Sequence, residues 1–425
     1  MIKEDFLHYL WKHKLFSLQS LITTNKESIE LFRSGEHNHL SGPDFFNALL
    51  KIDGQRWAGN VEIHVKSSDW YLHGHEKDEN YDNIILHVVW EHDVNIHTKN
   101  SGLLPTLELK NFIKTDVLNN YKKLFSTTKT WINCEKDIAS TDDFLLNNWY
   151  DRLYIERLEE KSTFIMNLLK SSNNDWEAVL FKLLAKNFGL KINSEAFFEL
   201  ADRLNFSIIR KQRNDLESLE ALIFGQAGFL IEPIENGYYQ KLQKEYQYLT
   251  SKFNLTPVSN SQFQFFRLRP NNFPTIRIAQ LAALYNQKEN LFSQILKINE
   301  LVDFYKLFSI QVSPFWKDHY SFTSASKKNN KSLTKSFIDL LLINTIVPFK
   351  FIYLRKMNKL NEEVLVETVR HIKPEKNSII DKFNEIGIST HNAFQTQSLL
   401  QLKNEYCSKQ KCLDCNIGND LLNNC

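Results

Sequence analysis

Residues 42 to 66 read GPDFFNALLKIDGQRWAGNVEIHVK, and the reading of this stretch decides the fold. Asp53-Gly54 separates two runs, Phe45 to Ile52 and Gln55 to Ser67. Asp-Gly between β-prone segments is a strong hairpin signal. Polar and apolar residues alternate from Asn60 to Lys66. One strand face then carries Asn60, Glu62, His64 and Lys66, and the other turns Val61, Ile63 and Val65 to a core. A two-residue turn pairs Ile52 with Gln55 and, counting back, Asp44 with Ile63. That register joins Phe46, Ala48, Leu50 and Ile52 to the apolar side of the second strand. It also puts Asp44 and Glu62 on opposite faces. Bringing the two carboxylates together needs a β-bulge, at Gly59 or around Pro43-Asp44.

Working outward, Ile84 to Trp90 suits a buried strand and Leu104 to Leu109 another. Residues 1 to 33 read as helical, on Phe6, Leu7, Leu10, Ile29 and Phe32. Beyond Asp142 the pattern is helical almost throughout, at 144–170, 175–188, 195–204, 216–230, 236–253, 276–286, 289–308, 333–346 and 379–387. Asn174 with Glu177 reads as a cap, and Gly189 as a stop. Gly is scarce at 12 and Pro at 9 in 425 residues, which favours long helices over a many-turned β fold. The fold class expected is α+β, with a small mixed-sheet α/β core over 1–125 and a large all-helical domain over 126–425.

The net charge of +2 gives no global drive toward nucleic acid, so any such surface must be local. Lys3, Glu4 and Asp5 directly after Met1 do not suit a secretory leader. The longest apolar run, Leu340 to Leu354, contains Asn344, Pro348 and Lys350 and is too short to span a bilayer. Five cysteines in so long a chain make no disulfide framework. The expectation is a cytoplasmic protein with no membrane partner.

The chemistry concentrates near the hairpin. Asp44 and Glu62, with the carbonyl of Ile63, can hold Mg²⁺ or Mn²⁺. His64 can take a proton from a metal-bound water, and Lys66 on the same face can balance phosphate charge. A rival set is His64, His73, His75 and His87, whose imidazoles suit zinc, with Asp69, Asp78 or Asp82 adding a carboxylate. The bland alternative is a solvated strand face beside an exposed loop.

Pro43-Asp44 followed by Glu62-Ile63-His64 resembles the motif of the PD-(D/E)XK nuclease superfamily, over roughly residues 25 to 110. The resemblance implies a restriction-endonuclease-like core of a helix, a β-meander, a helix and a further strand. It implies metal binding by Asp44 and Glu62, and DNA or RNA as substrate. His64 stands where that motif has Lys, so a permanent charge is replaced by a titratable one. The whole chain also resembles a family of uncharacterised bacterial proteins. That likeness is carried by Gly42-Pro-Asp-Phe, Val61-Glu-Ile-His, Leu86-His-Val-Val89, Leu268-Arg-Pro-Asn-Asn-Phe-Pro274 and the terminal Cys group.

That group, Cys407 with Cys412-Leu-Asp-Cys415, places three thiols in nine residues. Cys-x₂-Cys lets two thiolates meet one metal, and Cys407 adds a third. Cys134 or Cys425 would complete the set, and the metal is zinc or an iron–sulfur cluster. Some PD-(D/E)XK nucleases are similar, with a cluster fastened by one distant Cys and a C-terminal Cys group. Arg267, Arg269 and Arg277, interleaved with Phe265 and Phe273, form a candidate nucleic-acid surface. The competing reading there is a loop entering a helix at Pro274 with a buried apolar stripe. Lys327 to Lys335 reads as an exposed loop, and Phe224 to Gly228 as a close helix contact.

The function expected from these residues is metal-dependent nuclease activity. The alternatives are an inactive nucleic-acid-binding or scaffold protein, which would bind without turnover, and a zinc hydrolase built on the histidines.

Overall fold

Glu4–His13 form a first helix, α1, because Phe6, Leu7, Leu10 and Trp11 fall on one buried face. The computed structural model describes residues 2–99, 102–126 and 130–423. The strands that follow are β1 (Leu21–Ile22), β2 (Ser28–Arg33), β3 (Glu36–His37), β4 (Phe45–Ile52) and β5 (Gln55–Lys66). A one-turn helix, α2 (Asp69–Leu72), lies in the crossover to β6 (Ile84–Glu91). β7 (Thr106–Glu108) and the helix α3 (Thr115–Leu124) complete this part. The sheet runs β1-β2-β4-β5-β6-β7, with β3 also on β4. Pairing is antiparallel as far as β5 and parallel for β5–β6 and β6–β7.

Two expectations are corrected here. Residues 28–33 are a strand, not helix: Ile29 and Leu31 pair with Ile52 and Leu50 of β4, and long-range pairing overrides local periodicity. The hairpin forms as read from Ile52↔Gln55 back to Ala48↔Gly59, but Phe45 then pairs with Val61. One extra residue is therefore looped out of β4. Asn47, at φ +57°, takes up the bulge, and asparagine tolerates that left-handed conformation. The bulge inverts the alternation before it, so Phe45 is buried and Phe46 only half-buried. Gly59 has a different task. A Cβ there would lie 2.4 Å from Ile85 Cγ2, so its hydrogen allows β6 to approach.

The chain divides into two compact units, one of residues 1–149, 385–388 and 402–425, the other of 150–384 and 389–401. The second unit is helical among its described residues. Asp175 caps Trp176–Phe188 by accepting from the Glu177 and Ala178 N–H groups at 3.0 Å. The segment 289–308 is two helices, Leu291–Lys297 and Leu301–Leu307. Gly225 is a close contact, since a Cβ there would lie 2.1 Å from the Tyr246 ring. Leu340 to Leu354 belongs to a longer helix, Lys335–Lys356, with a π-helical stretch at Leu342–Ile346. By length and composition that helix could cross a membrane, but 67% of its most apolar window is buried in the protein.

Candidate metal centre

β5 places Glu62 and His64 two residues apart on one face, as the alternation predicts. That face is not solvated: Glu62 is 4% exposed and His64 1%. The crossover covers it. Asp93 pins the start of the crossover by accepting from Ser67 Oγ (2.9 Å), Ser68 N–H (2.9 Å) and Ser68 Oγ (2.7 Å). Trp70 and Tyr81 pack into an apolar cluster with Ile84, Ile96 and Leu104. Gly74, at φ +73°, makes the bend that returns His73 and His75 toward the strand.

Three imidazoles gather here, with the Glu62 carboxylate beside two of them. His64 Nε2 lies 3.1 Å from His73 Nδ1 and 3.6 Å from Glu62 Oε1, and His75 Nε2 lies 3.2 Å from the same oxygen. The donor atoms of His64, His73 and His75 all lie within 4.8 Å of one another, the one such group among the described residues. The His64–His73 separation is close to the edge of about 3.3–3.4 Å of a tetrahedron with bonds near 2.0–2.1 Å, and Glu62 stands beside His64 and His75 outside that tight group. Behind the set, His64 Nδ1 meets His87 Nε2 at 2.8 Å, an outer partner that can fix the ring with Nε2 facing the centre. The Tyr81 ring stacks on His75 with centroids 3.8 Å apart.

Electrostatics suit a cation. Burial, with repulsion from His75, His73 and His8, pushes His64 down to about 3, so its imidazole is neutral at physiological pH. Burial also holds His87 well below the usual histidine range. Burial raises Glu62, helped by the charge of Asp44, while His75 opposes the rise. The carboxylate thus sits where a positive charge would stabilise it.

The bulge brings Asp44 beside Glu62. The Asp44 N–H donates to Glu62 Oε2 (3.2 Å), and Asp44 Oδ2 accepts from the Ile63 N–H (2.8 Å). His8 of α1 approaches the same oxygen at 3.2 Å. Burial alone would lower His8, but Asp44, Glu4 and Asp5 outweigh it and raise it. Glu4, one turn before, is pushed up to about 7 by burial, with Asp44 and Glu62 adding to the rise over the opposing pull of His8. Glu4 and His8 are the residues sequence reasoning missed; their spacing of four on an amphipathic helix was the available signal.

The other proposed residues are placed as follows. Lys66 is exposed at the end of β5 and joins none of these contacts; its N–H donates to Asp69 Oδ2 at 2.9 Å. Asp78 caps a turn at Asn80. Arg267 and Arg269 are exposed. Arg277 is 6% exposed, bound to Gln280 Oε1 (2.9 Å) and Asn272 Oδ1 (2.7 Å) and laid 3.6 Å from the Phe337 ring centroid. It is part of a core, not of a phosphate-binding surface. Cys134, Cys407, Cys412 and Cys415 carry free thiols and line one pocket; Cys425 lies outside the described residues.

A groove of about 550 Å³ runs beside the His8–Asp44 pair. Lys3, Lys12, Lys409 and Lys411 line it with His8 and His37, against two carboxylates, Asp5 and Asp414. Positive surroundings, after burial, push His37 down to about 4.

The chain belongs to a family described as protein of unknown function, DUF2851, whose family model matches residues 4–378. The Cys407–Cys415 segment lies beyond that match. No curated protein and no solved structure matches the chain.

Proposed function

We propose that this protein is a metal-dependent phosphodiester hydrolase of nuclease type, with its ion held by Glu62, His64, His73 and His75. The grouping of the three imidazole donors, with the Glu62 carboxylate 3.6 Å from His64 and 3.2 Å from His75, carries the reading. Three imidazoles and one carboxylate favour zinc or manganese over magnesium, which prefers oxygen ligands and retains waters. The bound ion would polarise a phosphoryl oxygen and lower the pKa of a water.

The chain's own groups supply the rest. Asp44 turns its Oδ2 to the Ile63 N–H and to His8, and thereby orients that imidazole. The carboxylates around His8 favour its protonated form, which can donate to a leaving oxygen. The four lysines of the groove suit a phosphate backbone. Antiparallel β2-β4-β5 followed by parallel β6 is a strand order shared with the core implied by the PD-(D/E)XK resemblance, although the crossover carries only the single α-helical turn of α2 where that core has a helix. The reading departs from that resemblance at the metal: His64 becomes a ligand where the superfamily has its lysine.

The test is incubation of wild type, Glu62→Gln and His73→Ala with single- and double-stranded DNA and RNA under Zn²⁺, Mn²⁺, Mg²⁺ or EDTA. Cleavage that needs metal and disappears in both variants is expected. Nucleic-acid binding without turnover, unchanged by Glu62→Gln, would replace this reading with that of a binding protein.

A further inference from the structure

Four of the chain's five cysteines meet in one small pocket of the first unit, although Cys134 precedes the other three by the whole length of the second unit. Cys134 and Cys415 are buried, and Cys407 and Cys412 half-buried. The segment that carries three of them is anchored at Tyr406, whose ring packs edge-on against Trp149. From Lys403 to Asp414 no residue is buried, yet the segment folds back sharply, with Gln410 at φ +55°. The thiols of Cys407 and Cys412 line the pocket together with Tyr406. The backbone is shaped around them. Cys415 N–H donates to Cys412 O at 3.3 Å, and Asn133 Nδ2 donates to Cys412 Sγ at 3.5 Å. A Cβ on Gly418 would lie 2.0 Å from Cys412 O, so only glycine lets the following helix close over the turn.

We propose that Cys134, Cys407, Cys412 and Cys415 hold a thiophilic metal centre, a zinc ion or an iron–sulfur cluster, which fixes the turn 408–414 as a wall of the basic groove. A mostly exposed turn closed on a cluster of thiols is the kind of segment that structural metals fasten. The thiols do not form a group as tight as the histidine donors. A zinc tetrathiolate has sulfur–sulfur edges of about 3.8 Å, so an iron–sulfur cluster is the first form to seek. The turn contributes Lys409, Gln410, Lys411, Leu413 and Asp414 to the groove. The metal centre stands independently of the hydrolase reading; only the purpose of the wall rests on it.

The experiment begins with full-length protein purified without oxygen and assayed for zinc, iron and acid-labile sulfide, with a visible absorption spectrum. One cysteine-bound centre per chain is expected, besides any metal at the histidine site, either zinc or iron with matching sulfide. It should be lost in Cys412→Ser/Cys415→Ser and kept in His64→Ala/His73→Ala. Wild-type protein that holds neither metal, after zinc addition and after cluster reconstitution, would overturn the proposal. So would zinc or iron that survives in Cys412→Ser/Cys415→Ser protein once His64→Ala/His73→Ala has also removed the histidine site. If that variant does not fold, the wild-type metal content and its retention in the histidine variant decide. Binding of a labelled single-stranded oligonucleotide in EDTA-free buffer by Glu62→Gln protein then tests the wall without turnover. Adding Lys12→Glu/Lys411→Glu should keep the metal and weaken binding about tenfold, with a shallower salt dependence. Unchanged binding would overturn the wall's role and leave the hydrolase reading to its own test.

Discussion

Both units bury polar and charged side chains, but they use them in opposite ways. In the second unit Arg277, Lys350 and Glu220 are held mainly by their own neighbours, although among the described residues Arg277 Nε and Glu220 Oε1 have no hydrogen-bond partner. Arg277 has two side-chain amide oxygens and an aromatic face. Lys350, 2% exposed, is held by Ile298 O and Asn299 Oδ1. Glu220 accepts from the Tyr238 hydroxyl. In the first unit buried Glu62 and His64 face half-buried His75, and the His64 and His75 donors group with that of exposed His73. Burial of a polar group therefore does not mark function in this protein. What sets the first unit apart is the grouping of imidazoles beside a buried carboxylate, an arrangement that a cation would stabilise.

Substitutions can break that contrast. The largest effect is expected for Glu62→Gln: metal affinity falls at least about 100-fold, while the metal-free protein does not melt lower, because the cost of a buried carboxylate is removed. Isothermal titration with zinc and calorimetry of the metal-free form check both halves; a clear loss of metal-free stability would place Glu62 with the structural charges. Arg277→Met should do the reverse. It leaves zinc titration unchanged and lowers stability by about 2–4 kcal/mol in urea unfolding, since two buried acceptors lose their donor.

Glu220→Gln separates the units by pH. Burial pushes Glu220 up to about 7. Between its unfolded value, near 4.5, and about 7 the folded chain holds a proton that the unfolded chain releases, so stability from this group falls as pH rises through that window. Gln removes the slope and should stabilise the protein above pH 7 by on the order of 1–2 kcal/mol. Unchanged pH dependence of unfolding would show that Glu220 is not the source. The smallest effect is expected at the bulge. Asn47→Gly relieves a left-handed residue at a change of under about 1 kcal/mol and keeps zinc binding. Asn47→Val strains the bulge and should weaken zinc binding with it, if the register at Asp44 serves the site.

Much of this site was legible in the sequence, for reasons that can be traced. The period-two pattern of residues 60–66 put Glu62 and His64 on one face, and Asp53-Gly54 fixed the turn. The need for a bulge followed from counting, but its place did not. Asn47 looks like any strand residue until its pairing with β5 is known. Whether the polar face met water was equally hidden, because the residues that cover it lie in the crossover. The two rival metal sets, carboxylates and histidines, proved to be neighbours sharing Glu62, a fact that depends on how the chain bends at Gly74. The role of Arg277 depended on which face of its helix met Phe337. Periodicity reports a stripe but not its neighbour.

The interruption of the first unit by the second has a consequence for how the protein is made. Residues 402–423 belong to the unit that begins at the N-terminus, and Asn423 reaches Tyr9 of α1 at 3.2 Å. A ribosome must therefore complete the entire helical unit before the groove beside α1 gains its last wall. While the nascent chain is still attached, the donors on β5 and the crossover are present but the Lys409–Asp414 wall is not. If that wall is needed to hold a polyanion, the chain acquires its full grip on substrate only once its own translation is over.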